Sequence, residues 1–204
     1  LLASPLPGAN AAPSPDDMLK WHGNIAIQLD VPEKGTVEVP LHFIMSFKPD
    51  YPASPPNVGF CTRFPYDMGA TYMDKDDLMV ICLNILGNFA HVHTEWSEQE
   101  GEGWSPGMSV ASVLVQLQSV LLDLNASMAR NASARLDLYK RVMAFTCTVG
   151  DGIVHSGAAP WPAVSTAAEA HADMVAQKAN SALDRMLPDP LKRKYDTFCE
   201  TLTD

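Results

Sequence analysis

Hydrophobic and polar positions alternate from Trp21 through Ile25, Ile27 and Leu29, and again after Gly35 through Val37, Val39, Leu41, Phe43, Met45 and Phe47. A period of two turns one face of each segment to a core, so two antiparallel strands joined near Gly35 are expected. Four prolines then fall between Lys48 and Pro56. Each fixes φ and removes an N–H, which predicts a rigid, irregular turn leading into a short strand at Asn57-Val58-Gly59-Phe60. Residues 61–104 hold no sustained period and read as loop-rich. Beyond them Val110, Val113, Leu114, Leu117 and Leu121 form an apolar stripe at helical spacing, with Ser109 placed to cap the first turn. Leu136, Tyr139, Val142 and Met143 mark a second helix, which Gly150, Gly152 and Gly157 with Pro160 and Pro162 bring to an end. Thr166-Ala-Ala-Glu169 is a capping box for an Ala-rich helix to about Leu187, and Leu191, Tyr195, Phe198 and Leu202 mark a last short one. The fold class this predicts is α+β, a small antiparallel sheet followed by helices.

Pro5, Pro7, Pro13 and Pro15 among Ala, Gly, Ser and Asn make residues 1–15 a flexible leader in this reading. Residues 16–145 are then the core domain, and 146–204 a linker and helical C-terminal extension. A formal charge of −10 repels a phosphate backbone on average, so no nucleic-acid partner is expected. No apolar run approaches the roughly 18 residues of a membrane span. Cys61, Cys82, Cys147 and Cys199 stand far apart without a Cys-x-x-Cys pair, which suits thiols in the cytoplasm or nucleus better than a disulfide scaffold.

Phe47-Lys-Pro-Asp-Tyr51-Pro52-Ala-Ser-Pro55-Pro56-Asn-Val58-Gly-Phe60 resembles a signature of the ubiquitin-conjugating enzyme family. Ile81-Cys82-Leu83-Asn84-Ile85-Leu86 is similar to that family's active-site strip, and Trp104-Ser105-Pro106 with Ser109-Val110 to its tryptophan-proline loop and the helix after it. Ser119-Val-Leu-Leu-Asp123-Leu-Asn125 resembles the end of that helix. Four fragments in family order over about residues 19–125 imply the ubiquitin-conjugating fold, a small antiparallel sheet with flanking helices. The resemblance also implies partners: ubiquitin or a ubiquitin-like protein, an activating enzyme, a ubiquitin ligase and a protein substrate. The family's first helix is absent from the proline-rich residues 1–15.

On this resemblance Cys82 is the sulfur that holds the modifier as a thioester before transfer to lysine, because a thiolate both attacks and leaves readily. The bland alternative is a small apolar filler between Ile81 and Leu83. The family places an asparagine, in a His-Pro-Asn turn, where it serves the oxyanion of the tetrahedral intermediate. From Arg63 to Cys82 this chain has neither asparagine nor histidine, and Asp74 falls at the asparagine's place. Asn84 stands where several members carry an acid, so amide and carboxylate look exchanged: Asn84 would supply the amide, and Asp74 would orient or deprotonate the lysine. Asp74 equally reads as a solvated residue of an Asp-Lys-Asp-Asp turn. Asp123 matches an acid that borders the cysteine in active members, or else it only solvates the helix end. Phe60, Ser105 and Pro106 match a surface that ligases grip, although Phe60 or Pro106 could instead be core. Trp104 follows Cys82 by 22 residues, an insertion whose Glu95, Glu98, Glu100 and Glu102 would attract a basic acceptor or simply face water. His91 and His93 with Cys82 offer three candidate ligands on a loop, a poor zinc site, and neither metal nor cofactor is expected.

Two functions therefore stand side by side. One is a thioester carrier on Cys82. The other is a catalytically silent relative that serves as a binding or scaffold subunit of a larger assembly.

Overall fold

The computed structural model describes residues 6–14, 16–65, 71–88, 103–128, 130–150 and 152–158. The acidic insertion from Glu95 to Glu102, the helices expected beyond Thr166, and Cys199 lie outside them.

The two alternating segments form β2 (Lys20–Val31) and β3 (Gly35–Ser46), an antiparallel pair in which Ile25 faces Leu41 and Leu29 faces Val37. The odd positions point inward as the pattern requires: Ile25, Leu29, Val39, Leu41, Phe43 and Met45 have no solvent exposure. β4 (Asn57–Phe60) extends the sheet beside β3, and the nominally loop-rich region contributes two short strands, β5 (Thr71–Met73) and β6 (Met79–Ile81). Together with β1 (Ala9–Pro13) they make a six-stranded sheet in the order β1-β2-β3-β4-β6-β5, with antiparallel neighbours.

β1 corrects the expectation of a flexible leader at Ala9–Pro13. Ala9, Ala11 and Ala12 are buried, and Pro13 is the last residue of an edge strand, where its missing N–H interrupts no interior ladder. The close approach depends on Gly23, opposite Ala11: a Cβ there would stand 2.3 Å from Phe43 Cζ and 2.4 Å from the Asn10 carbonyl oxygen. Because residues 9–13 carry the first strand, the leader's prolines say nothing about a helix preceding the sheet.

α1 (Val110–Ser127) begins with the expected cap: the Ser109 hydroxyl accepts from the Ser112 N–H, and Ser112 returns the contact to complete a capping box. Its stripe, Val113, Leu114, Leu117, Leu121 and Leu124, is at most 2% exposed and packs in the core. α2 (Ala132–Ala144) is capped by Asn131 and buries Leu138 and Val142. No helix among the described residues is long and apolar enough to cross a membrane.

Residues 146–156, expected as linker, form a hairpin of β7 (Thr146–Val149) and β8 (Gly152–Ser156). It brings Cys147 and His155 to the face of β2 and β3 opposite the core, the side from which His22, Asn24 and His42 project. Gly157 closes the hairpin against α2, where a Cβ would lie 1.8 Å from the Val142 carbonyl oxygen. Burial holds the His42 imidazole down at about 2 and that of His155 at about 4, so both are neutral near pH 7.

Candidate active site

β5 and β6 form a tight hairpin whose turn is made by Asp74. Its Oδ1 accepts from the backbone amides of Asp76 and Leu78, 2.9 Å each, while its own N–H donates to the Leu78 carbonyl. This is the local use of an aspartate side chain that stabilises turns. Cys82 follows β6 immediately, three residues beyond Met79 and so on the order of 10 Å along the strand from the turn. Asp74 is therefore a turn former at the far end of the hairpin from the sulfur, as in the solvated-turn reading.

From Met79 to Leu83 every side chain is buried. The chain then makes a 3-10 turn at Asn84–Leu86, closed by Gly87 at φ 63°, and returns at Asn88. Asn88 clamps the strip. Its Oδ1 accepts from the Leu83 N–H at 2.8 Å, its Nδ2 donates to the Ile81 carbonyl at 3.2 Å, and its own carbonyl accepts the Cys82 thiol at 3.2 Å. Two of the contacts hold the peptide units on either side of Cys82, and the third holds its thiol. Tyr72, whose hydroxyl burial pushes up, hydrogen-bonds to Asn88 and lies in electrostatic reach of Cys82.

Cys82 is 6% exposed, and burial raises its thiol above the usual range. The sulfur is thus a neutral donor with little solvent exposure.

Asn84 is exposed and rests on the chain entering the tryptophan-proline loop: a Cβ on Gly103, at φ 97°, would fall 2.5 Å from Asn84 Cγ and Oδ1. Only a residue without a side chain seats Asn84 there. Trp104 follows, donating from Nε1 to the Pro52 carbonyl at 2.9 Å and lying 6.1 Å from the Tyr51 ring. Tyr51 continues through Phe47 to Trp21 at centroid distances of 4.7 and 5.3 Å. An aromatic row therefore carries the loop to the proline turn. Ser105 and Pro106 are exposed at its tip, available to a partner.

Phe60 is not. It is 1% exposed, pairs with Phe43 across β3 and β4, and meets the Phe43 and Phe64 rings edge-on. The register with Phe43 turns it inward, so it forms no part of a ligase surface. Phe60→Leu is expected to cost about 1–2 kcal/mol of stability in urea unfolding. An unchanged midpoint would return Phe60 to the surface. Asp123 is exposed in the penultimate turn of α1, and no hydrogen bond among the described residues links it to Cys82.

Sequence reasoning missed Asn88, Tyr72 and Gly103. The family's asparagine precedes the cysteine and the exchange reading puts the amide at Asn84, while Asn88 lies six residues beyond Cys82, just after the turn-closing Gly87.

A family model described as ubiquitin-conjugating enzyme matches residues 1–150. Ubiquitin-conjugating enzyme E2 2 of Candida albicans is 33% identical over 137 residues, 67% of this chain and 63% of that protein. The protein of the same name from Trichoderma harzianum is 32% identical over 137 residues, 74% of its length. Ubiquitin-conjugating enzyme E2 Z of Danio rerio is 33% identical over 125 residues, 58% of this chain and 32% of that protein. The match thus spans less than two thirds of the Candida protein and about a third of the Danio one.

Proposed function

The chain belongs to the ubiquitin-conjugating enzyme family, and from that premise we propose that it carries ubiquitin or a ubiquitin-like protein as a thioester on Cys82 and passes it to a substrate lysine with the help of a ligase. The observation that carries this reading is Cys82 at the end of β6, inside the family match and held through its flanking peptides by Asn88. The modifier arrives from an activating enzyme by thioester exchange, and the lysine amine displaces the sulfur. A persistent free thiol of this kind belongs in a reducing compartment, cytoplasm or nucleus.

In this reading Asn84, exposed two residues after Cys82, supplies the amide for the oxyanion, and Asp123 borders the incoming lysine. Ser105 and Pro106 offer the ligase a rigid, exposed tip. Asn84→Ala should leave thioester formation intact and slow discharge to free lysine by about 2–4 kcal/mol. Equal discharge rates in single-turnover assays would remove Asn84 from the chemistry.

A second reading has one observation of its own. The low exposure of Cys82 and its raised thiol favour a catalytically silent subunit that binds partners in a larger assembly. Incubation with an activating enzyme, ATP and ubiquitin separates the two on non-reducing gels: a thiol-sensitive adduct supports the carrier, and its absence under conditions that charge a known family member supports the silent subunit.

A further inference from the structure

On the face of the sheet opposite the core, β2 supplies His22, β3 supplies His42, and the β7–β8 hairpin lowers Cys147 onto them. Their ligand atoms, His22 Nδ1, His42 Nε2 and Cys147 Sγ, all lie within 4.8 Å of one another. We propose that His22, His42 and Cys147 hold a divalent metal of the zinc class in a tetrahedral nitrogen–sulfur site that fastens the C-terminal hairpin to the sheet.

The separations fit such an ion. Ligands at ordinary zinc bond lengths leave tetrahedral edges of about 3.3 Å between two nitrogens and about 3.6 Å between nitrogen and sulfur. The two imidazole nitrogens are 3.1 Å apart, and Cys147 Sγ is 3.9 Å from His22 Nδ1. These two edges need shifts of only a few tenths of an ångström, and the third, His42 Nε2 to Cys147 Sγ, lies within 4.8 Å and closes by up to about 1.2 Å as the Cys147 side chain turns toward the ion.

The surroundings prepare the ligands. His42 Nδ1 meets Asn24 Oδ1 at 2.9 Å, and Asn24 is oriented by donating its Nδ2 to Asn10 Oδ1 at 3.4 Å. An acceptor at Nδ1 places the proton there and leaves the Nε2 lone pair facing His22 and Cys147, the outer-shell arrangement that metal-binding histidines use. His22 and His42 are 8% and 1% exposed, so bulk water does not compete for the position. On binding, the proton shared by the two imidazoles moves to His22 Nε2, Cys147 releases its thiol proton to solvent, and each ligand atom donates a lone pair. His155 is a candidate for the fourth place. It faces Cys147 across β7–β8, stacks on His42 at 4.6 Å between centroids, and keeps a buried Nε2 with no hydrogen-bond partner. A turn of its ring would present that nitrogen, and a water molecule fills the place otherwise.

The test is a titration of the untagged full chain, stripped with chelator, with cobalt(II) and then zinc. One equivalent of cobalt should give the intense visible bands of a tetrahedral site together with a thiolate charge-transfer band, and zinc should bleach both. Cys147→Ser should lose the charge-transfer band, Asn24→Ala should weaken binding about 10–100-fold while still folding, and Cys82→Ser should bind as the parent does. Zinc should raise the melting temperature of the parent and not that of Cys147→Ser. A parent chain with no tetrahedral spectrum and no zinc-dependent melting shift overturns the proposal, as do bands that survive Cys147→Ser and vanish in Cys82→Ser. The parent itself is titrated, so the test stands even where a variant fails to fold, and thioester formation on Cys82 is not among the readouts.

Discussion

Cys82→Ala is expected to abolish the thiol-sensitive adduct altogether, and Cys82→Ser to replace it with a slower-forming one that survives reductant. A serine oxygen accepts the acyl group as an ester, which thiols do not cleave readily, whereas alanine offers no nucleophile. Among the described residues the other cysteines, Cys61 and Cys147, stand apart from Cys82: Cys147 lies on the face opposite the core, and burial pushes the Cys61 thiol up to about 12. The closed setting of Cys82 adds a pH dependence. A thiol raised by burial has less thiolate at a given pH than a free cysteine, so the charging rate should climb about tenfold per unit from pH 7 and still be rising at pH 8.5. A rate that levels off near pH 7.5 would mean an activated thiolate in an open groove, and a persistent adduct on Cys82→Ala would place the carrier sulfur elsewhere.

Patterns that repeat locally are legible in the sequence. The period of two in β2 and β3, the stripe and serine cap of α1, and the order of the four family fragments each depend on residues close along the chain. β1 is hidden because alanines and an asparagine carry no hydrophobic alternation, and because Pro13 reads as a breaker until it is known to end an edge strand. Phe60 is misplaced by its sequence context since its facing depends on its register with Phe43, which no single segment encodes. The histidine–cysteine cluster joins positions 22, 42 and 147, separations at which no spacing rule operates, and the strand register alone brings the first two onto one face. The residue types around Asp74 leave two alternatives open, and only the hairpin of β5 and β6 reveals the hydrogen bonds by which it forms the turn.

Asn88→Ala should combine a large loss of stability with a more reactive Cys82, a pairing that separates the clamp from an ordinary packing defect. The side chain satisfies the buried Leu83 N–H and Ile81 carbonyl at once, and its removal leaves both without a partner in a strip where every neighbour is buried. Each orphaned group costs about 1–3 kcal/mol, so the variant should lose roughly 2–6 kcal/mol in urea unfolding. Once the peptides on either side are released, the thiol no longer stays against the Asn88 carbonyl. At a temperature where the variant is still folded, Cys82 should therefore react faster with a small aromatic disulfide than in the parent, although the protein is less stable. Asn88→Asp keeps the acceptor for Leu83 but loses the donor to Ile81 and buries a carboxylate, so it should not restore stability near neutral pH. Asn84→Ala is the contrasting case, since an exposed amide can be lost with little effect on unfolding while the discharge rate falls. If Asn88→Ala unfolds at the parent's midpoint, or destabilises the chain without changing the reactivity of Cys82, then Asn88 fills space and does not position the sulfur.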